Sequence, residues 1–175
     1  MTIEALEILD SAVKIGLGAL ISGVATYSVT LRNQKYELHK VFLDRRLNTI
    51  EVATDSVDTH FIAFSRFIAA ISGAQQLNPE EKELSENSYK FIRRHDDELC
   101  DSRAHWISSI SKLRLLALDN SVAILNELSN IENDIRNKVV FEKLMPTLDE
   151  LEHWSNTFVD IKKRFYKEVS NAYCS

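Results

Sequence analysis

The chain is poor in the residues that turn a polypeptide, with four Gly and two Pro among 175 residues. Hairpins and sheet corners depend on these two residue types, so their scarcity argues against a multistranded β protein. No segment alternates apolar and polar residues for long enough to predict a strand. The composition therefore predicts an all-α protein built from long helices.

Cysteine and excess positive charge are also scarce. The two cysteines, Cys100 and Cys174, are too few for a disulfide framework and suit a reducing compartment. The formal net charge is −5. An acidic chain lacks the general electrostatic attraction that nucleic-acid-binding proteins use, so we expect no nucleic acid among its partners.

Three of the four glycines lie in one apolar stretch near the N-terminus. Residues 15–31 carry no charge, and extending the stretch to Ala12 adds only Lys14. Twenty helical residues cover about 30 Å, the thickness of the hydrocarbon core of a bilayer. The sequence predicts a transmembrane helix over residues 12–31, preceded by a short extracytoplasmic tail of residues 1–11. The alternative is a soluble bundle that buries the same helix.

Positive charge is distributed unequally around this stretch. No Lys or Arg precedes Lys14, whereas five follow within about fifteen residues of the end of the stretch: Arg32, Lys35, Lys40, Arg45 and Arg46. By the positive-inside rule the N-terminus lies outside the cell membrane and residues 32–175 form a cytoplasmic domain. This basic flank can also contact anionic lipid headgroups.

Small side chains recur along one face of the predicted span. Their steps of three and four residues form a narrow seam: Ala12, Gly16, Ala19, Gly23, Thr26 and Thr30. Small residues let two helix backbones approach closely in lipid, so we expect self-association through this seam. The polar Ser22, Thr26 and Thr30 on or beside the seam motivate an alternative, in which clustered spans alter membrane permeability.

Beyond the span, apolar residues at steps of three and four predict long helices joined by short turns. The expected helices cover about 32–73, 79–118, 121–144 and 147–173. Asn78 as N-cap and Pro79 at the first helical position mark the second start, and residues 119–121 are expected to form a polar turn. Pro146 either kinks the third helix or begins a fourth. Such helices must fold back on one another, which predicts that the transmembrane helix continues into an elongated antiparallel bundle of three or four helices.

Two polar patterns resemble metal-binding arrangements. Asp97, Asp101 and His105 lie at successive steps of four, which is also typical of a solvated helix face. Glu150 and His153 have the spacing found in di-iron bundles, but the second such pair and the additional Glu residues are missing. The sequence therefore predicts no enzyme, no cofactor and no metal site.

Several other polar and aromatic residues are expected to be structural. His95 falls on the apolar stripe of its helix and is predicted to be a core histidine with a hydrogen-bond partner. Cys100 has acidic neighbours and is predicted to be a half-buried structural thiol. Five aromatic residues at helical spacing are expected to pack the core: Phe61, Phe64, Phe67, Trp106 and Trp154.

Together these features predict a single-pass membrane protein whose cytoplasmic bundle serves as an interaction or assembly module. The expected partners are the lipid bilayer, further copies of the chain and an unidentified protein. The sequence leaves two alternatives open, which are a membrane effector that alters permeability and a soluble helical-bundle protein.

Overall fold

The computed structural model describes residues 3–77 and 79–174, and this part of the chain is helical with no strand. The four α-helices are α1 (Ile3–Leu77), α2 (Glu86–Leu115), α3 (Asp119–Arg136) and α4 (Leu148–Cys174). A π-helical turn, Asn137–Phe141, follows α3. The predicted all-α helical bundle is therefore confirmed, and the number of α-helices is four rather than three.

The chain divides into two compact units, Met1–Arg45 and Arg46–Ser175. In the first unit the described residues belong to α1 alone, and the second unit contains the rest of α1 together with α2, α3 and α4. α1 ends at Leu77 and not near Gly73, where the sequence predicted its end. Glycine ends a helix where the backbone turns left-handed, and no described glycine has a positive φ.

Aromatic side chains form the centre of the second unit. The five that the sequence predicted for the core are all buried, as expected: Phe61, Phe64, Phe67, Trp106 and Trp154. The ring of Phe61 on α1 meets Phe158 and Phe165 of α4 edge-on, with centroid separations of 5.7 Å for each pair. Edge-on ring pairs add to the stabilisation that the burial of apolar surface provides.

The second helix begins at Glu86, so the predicted start at Pro79 is wrong. Ser85 is the N-cap, and its hydroxyl accepts a hydrogen bond from the backbone N–H of Ser88 at 3.3 Å. The residue predicted as the N-cap, Asn78, lies outside the described residues. A Ser N-cap satisfies one of the backbone donors that the first helical turn leaves free.

The backbone before Ser85 pairs with a distant loop instead of forming a helix. The N–H of Leu84 donates to the carbonyl oxygen of Lys143, and the N–H of Met145 donates to that of Lys82, both at 2.9 Å. These bonds flank an isolated antiparallel bridge. The helix start is delayed because this long-range pairing uses backbone groups that the local cap signal assigned to a helix.

The turn between α2 and α3 also differs from the prediction, because residues 119–121 form the first turn of α3. The reversal takes place after Leu115, where Ala117 adopts a left-handed conformation with φ of 57°. The N–H of Leu118 then donates to the carbonyl oxygen of Leu113 at 3.0 Å. This bond closes the end of α2 in the manner of a Schellman motif.

Pro146 separates α3 from α4 instead of kinking one helix. Thr147 and Glu150 form a capping box at the start of α4: the Thr147 hydroxyl accepts from the Glu150 N–H at 3.2 Å, and the Glu150 carboxylate accepts from the Thr147 N–H at 2.8 Å. Two backbone donors of the first turn are thereby satisfied. The predicted third helix, 121–144, ends earlier, in the π-helical turn before Pro146.

Candidate functional site: an exposed apolar helix and a buried polar network

The first unit exposes an apolar length of helix. α1 contains an 18-residue window with a mean hydropathy of 1.4, and none of that window is buried. The large apolar side chains there are each more than half exposed: Val13, Ile15, Leu17, Leu20, Ile21, Val24 and Val29. By length and composition, α1 is able to cross a membrane.

The small-residue seam lies on this exposed helix. All six of its residues are helical and exposed: Ala12, Gly16, Ala19, Gly23, Thr26 and Thr30. A Cβ atom added at Gly16 or Gly23 would meet nothing within 4 Å. The packing of the described chain therefore does not require glycine at these two positions.

Three hydroxyls and the one lysine of the stretch have partners within α1. The hydroxyls of Ser22, Ser28 and Thr30 each donate to the carbonyl oxygen four residues earlier, at 2.8–2.9 Å. The ammonium group of Lys14 forms an ion pair with Asp10 at 2.5 Å. A hydroxyl that already donates a hydrogen bond to its own helix loses little free energy on transfer into lipid, because that bond is kept.

The basic flank follows the apolar stretch on α1. Four of its side chains are exposed and Arg46 is half-buried, the full set being Arg32, Lys35, Lys40, Arg45 and Arg46. The first four belong to the first unit, and Arg46 is the first residue of the second. The flank therefore presents its cations to the surroundings of the helix.

A polar network lies in the core of the second unit, where His60, Ser102 and Glu132 are buried. Nδ1 of His60 lies 2.6 Å from the Ser102 hydroxyl, and Nε2 of His60 lies 3.0 Å from a carboxylate oxygen of Glu132. Nε of Arg103 donates to the other Glu132 oxygen at 3.0 Å. The ring of Trp106 covers His60, with the two ring centroids 4.3 Å apart. The network joins α1, α2 and α3.

The charge of Glu132 depends on these partners. Burial acts to raise the pKa of the Glu132 carboxyl, whereas the hydrogen bonds and charges of His60 and Arg103 act to lower it. The partners outweigh burial, and the pKa lies below its ordinary value. Since an ionised carboxylate only accepts hydrogen bonds, Nε2 of His60 is the donor in that pair.

The lowered pKa predicts that acid weakens the fold. Glu132 contributes stability above the ordinary glutamate pKa of 4.5, and this contribution is lost as the pH falls through the lower pKa of the folded state. Between about pH 5 and pH 3 we expect the free energy of unfolding to decrease more steeply in the wild type than in Glu132→Gln. Urea unfolding at a series of pH values measures both slopes, and equal slopes would contradict the prediction.

Serine, histidine and glutamate also form catalytic triads, but this geometry favours a structural role. Ser102 lies within α2, and its hydroxyl donates to the carbonyl oxygen of Leu99 at 2.7 Å. Neighbouring backbone N–H groups in the middle of a helix are bonded within it, so they offer no oxyanion hole.

No family model, curated protein or solved structure matches the chain.

A second buried carboxylate, Asp96, is paired with arginine. Nε of Arg136 donates to it at 2.6 Å, and the guanidinium of Arg93 lies 3.1 Å away. The hydrogen bond from Arg136 to Asp96 raises the pKa of Arg136. Cys100 is half-buried as predicted, and its sulfur accepts a hydrogen bond from Arg136 at 3.1 Å.

The possible metal ligands do not form a site. Asp97, Asp101 and His105 are exposed, and no group of three or more His, Cys, Asp or Glu among the described residues is placed to hold a metal ion. Glu150 binds the ammonium group of Lys138 at 2.6 Å in addition to capping α4, and His153 is exposed. These contacts are the ordinary ones of helix surfaces and helix starts.

The sequence identified the wrong histidine as the core histidine. His95 is only half-buried, and its Nδ1, 3.5 Å from a Glu98 oxygen, has no hydrogen-bond partner among the described residues, whereas His60 is fully buried. A signal for His60 was present, because it follows Val57 by three residues and precedes Phe64 by four. Ser102 and Glu132 also lie three or four residues from buried apolar residues of their helices. Polar residues at positions where the spacing predicts an apolar core residue therefore mark this network.

Proposed function

We propose that the protein is a single-pass, membrane-anchored assembly protein whose helical bundle binds partners in the cytoplasm. In this proposal residues 12–31 cross the cell membrane with the N-terminus outside, and several copies associate. The observation that carries the proposal is the exposed apolar helix, which has no buried residue in its most hydrophobic window. Lipid is the environment in which such a helix is stable.

The alternative of a soluble bundle is less well supported. The largest apolar patch on a typical soluble monomer covers about 300–600 Å². A run of exposed apolar residues from Val13 to Val29 covers the helix through several turns. The buried core of the bundle is formed by residues of the second unit. The apolar stretch of residues 12–31 takes no part in that core, since its residues are exposed.

The proposed orientation and self-association rest on two further observations. The five cations of the basic flank follow the span, which favours a cytoplasmic bundle. The open space around Gly16 and Gly23 leaves the seam free to pack against another copy. Altered permeability is the second candidate, and it is less favoured because two of the three hydroxyls that motivate it, those of Ser22 and Thr30, bond to their own helix.

The membrane anchor is tested by placing charge within the span. In the variant Leu20→Asp with Ile21→Asp, each Asp at the centre of a span costs about 3 kcal/mol of insertion free energy. The matched control is Ile107→Asp with Val159→Asp, which alters two residues of similar exposure in the second unit. Membranes of expressing cells are extracted at alkaline pH, and the chain is measured in pellet and supernatant.

We expect the wild type and the control in the pellet and the span variant in the supernatant. Release of the wild type at alkaline pH would overturn the membrane assignment. Retention of the span variant would show that residues 12–31 are not the anchor.

A further inference from the structure

The helix that follows the predicted span carries a coiled-coil pattern over residues 32–45. In a heptad written a to g, positions d and a form the seam between helices, and positions e and g flank it. Tyr36 and Leu43 occupy the d positions, and Asn33 and Lys40 occupy the a positions. Tyr36 is 68% exposed and Leu43 is 38% exposed, so the first unit leaves this seam uncovered.

One flank of this seam carries basic residues and the other carries acidic residues. The g positions are basic, with Arg32 and His39, and the e positions are acidic, with Glu37 and Asp44. In a parallel coiled coil each g residue faces the e residue five positions further along the other chain. Arg32 then faces Glu37 of a second copy, and His39 faces Asp44. Beyond Leu43 the next d residue of the pattern, Ile50, is buried in the core of the second unit, so the open seam is limited to residues 32–45.

These flanking side chains have no ion-pair partner within the described chain. The four flanking side chains are all exposed and form no ion pair with any described residue: Arg32, Glu37, His39 and Asp44. Each chain thus offers one acidic and one basic flank beside an open seam. The surface that complements it is the same surface of another copy.

We propose that two copies of the chain pair in parallel through residues 32–45, with each basic flank against the acidic flank of the other copy. This inference rests on the proposed membrane-anchored assembly, because insertion in one orientation makes neighbouring copies parallel. An antiparallel pair would instead place basic flank against basic flank and acidic against acidic. The flanking residues and insertion in one orientation therefore both favour a parallel pair of chains.

The opposite face of this helix is also apolar, but its flanking charges do not match. Leu31, Leu38 and Val41 lie along that face. If it formed the seam, Glu37 would face Phe42 of the second copy and gain no ionic partner. Charge complementarity therefore assigns the interface to the face of Tyr36 and Leu43.

The pairing is expected to be specific and reversible. Asn33 and Lys40 at seam positions weaken a coiled coil while restricting its register and copy number. The helix is already formed as part of α1, so pairing requires little ordering of the backbone. Pairing through residues 32–45 would also bring the small-residue seams of two spans close together. The higher effective concentration of the seams would favour their contact, and that contact would favour the pairing in turn.

The test uses the full chain in the membranes of expressing cells, with Cys100 and Cys174 replaced by Ser. Tyr36→Cys places a thiol in the proposed seam, and Gln34→Cys places one at position b on the outer face. After treatment with copper phenanthroline, disulfide dimers are measured on non-reducing gels. We expect about tenfold more dimer from Tyr36→Cys, because only thiols in the seam come within disulfide distance. Equal yields from the two variants would overturn the proposal.

Charge reversal then tests the flanks in the Tyr36→Cys chain. One variant carries Glu37→Lys with Asp44→Lys, and the other carries Arg32→Glu with His39→Glu. Each expressed alone has flanks of one sign, and we expect its dimer yield to fall about tenfold. Co-expression of the two restores the yield as a mixed dimer. Unchanged yields after reversal, or no recovery on mixing, would overturn the proposal.

Alkaline extraction of the same membranes separates this inference from the proposed anchor. If the chain stays in the pellet while the seam thiols do not cross-link, the coiled coil is wrong and the anchor stands. If the chain is released while cross-linking persists, the anchor is wrong and the pairing stands.

Discussion

Replacing Glu132 with Ala lowers the free energy of unfolding of the helical bundle by about 3–5 kcal/mol, because the change leaves buried partners without their carboxylate. His60 is fully buried and bonded to Glu132, and Arg103 donates to the same carboxylate. Urea unfolding of the detergent-solubilised chain measures the effect by tryptophan fluorescence. Both tryptophans, Trp106 and Trp154, lie in the second unit and report on its core.

Glu127, an exposed glutamate on the same helix, serves as the control, because its replacement shows what the loss of a glutamate outside the buried network costs. Glu127 forms an ion pair with Arg164 on the surface, and the pair lowers the pKa of Glu127. Exposed pairs of this kind contribute about 1 kcal/mol or less, so Glu127→Ala should cost far less stability than Glu132→Ala. Equal losses in the two variants would show that the buried network does not stabilise the bundle.

Replacing Phe61 with Ala should destabilise the bundle by about 3–5 kcal/mol. Its ring meets residues of α2 and α4, with centroids 6.3 Å from Trp106 and 5.7 Å from both Phe158 and Phe165. Truncation to Ala leaves a cavity that these rings fill only in part. The same urea unfolding experiment measures the loss, and Phe61→Leu should give an intermediate value.

The matched control is Phe91→Ala on α2, whose side chain is 54% exposed. Substitutions at exposed positions usually change stability by about 0.5 kcal/mol or less. A loss at Phe91 as large as that at Phe61 would contradict the packing described for the core. Near-wild-type stability of Phe61→Ala would do the same.

The helices could be predicted from the sequence wherever their signals are local. Few glycines and prolines and apolar residues at steps of three and four indicate a bundle of three or four helices. The aromatic core could be predicted for the same reason, because Phe61, Phe64 and Phe67 recur at helical spacing. Each of these signals lies within the segment whose structure it determines. The effect of Pro146, a kink or a break, is not decided by its local sequence.

The start of α2 could not be predicted in this way. Pro79 carries good local start chemistry, but the backbone before Ser85 bonds to residues near Lys143. That pairing joins segments far apart in sequence, and local patterns do not contain it. Ala117 is a similar case, since a left-handed alanine in the turn after α2 carries no glycine to mark it.

The candidate site likewise contains features that the sequence could predict and features that it could not. The seam from Ala12 to Thr30 and the basic flank could be placed on one helix from spacing alone, and the structure has them on α1. The network of His60, Ser102 and Glu132 could not be assembled, because its members come from three helices. Their alignment depends on how those helices pack, which the spacing within each helix does not determine.

The buried network should restrict how the sequences of related proteins vary. His60, Ser102 and Glu132 lie on different helices, yet each meets a hydrogen-bonding group of another within the core. A change at one position leaves a buried polar group without a partner, which costs more than exchanging the whole set for apolar residues. We therefore expect related sequences to keep all three residues or to replace them together.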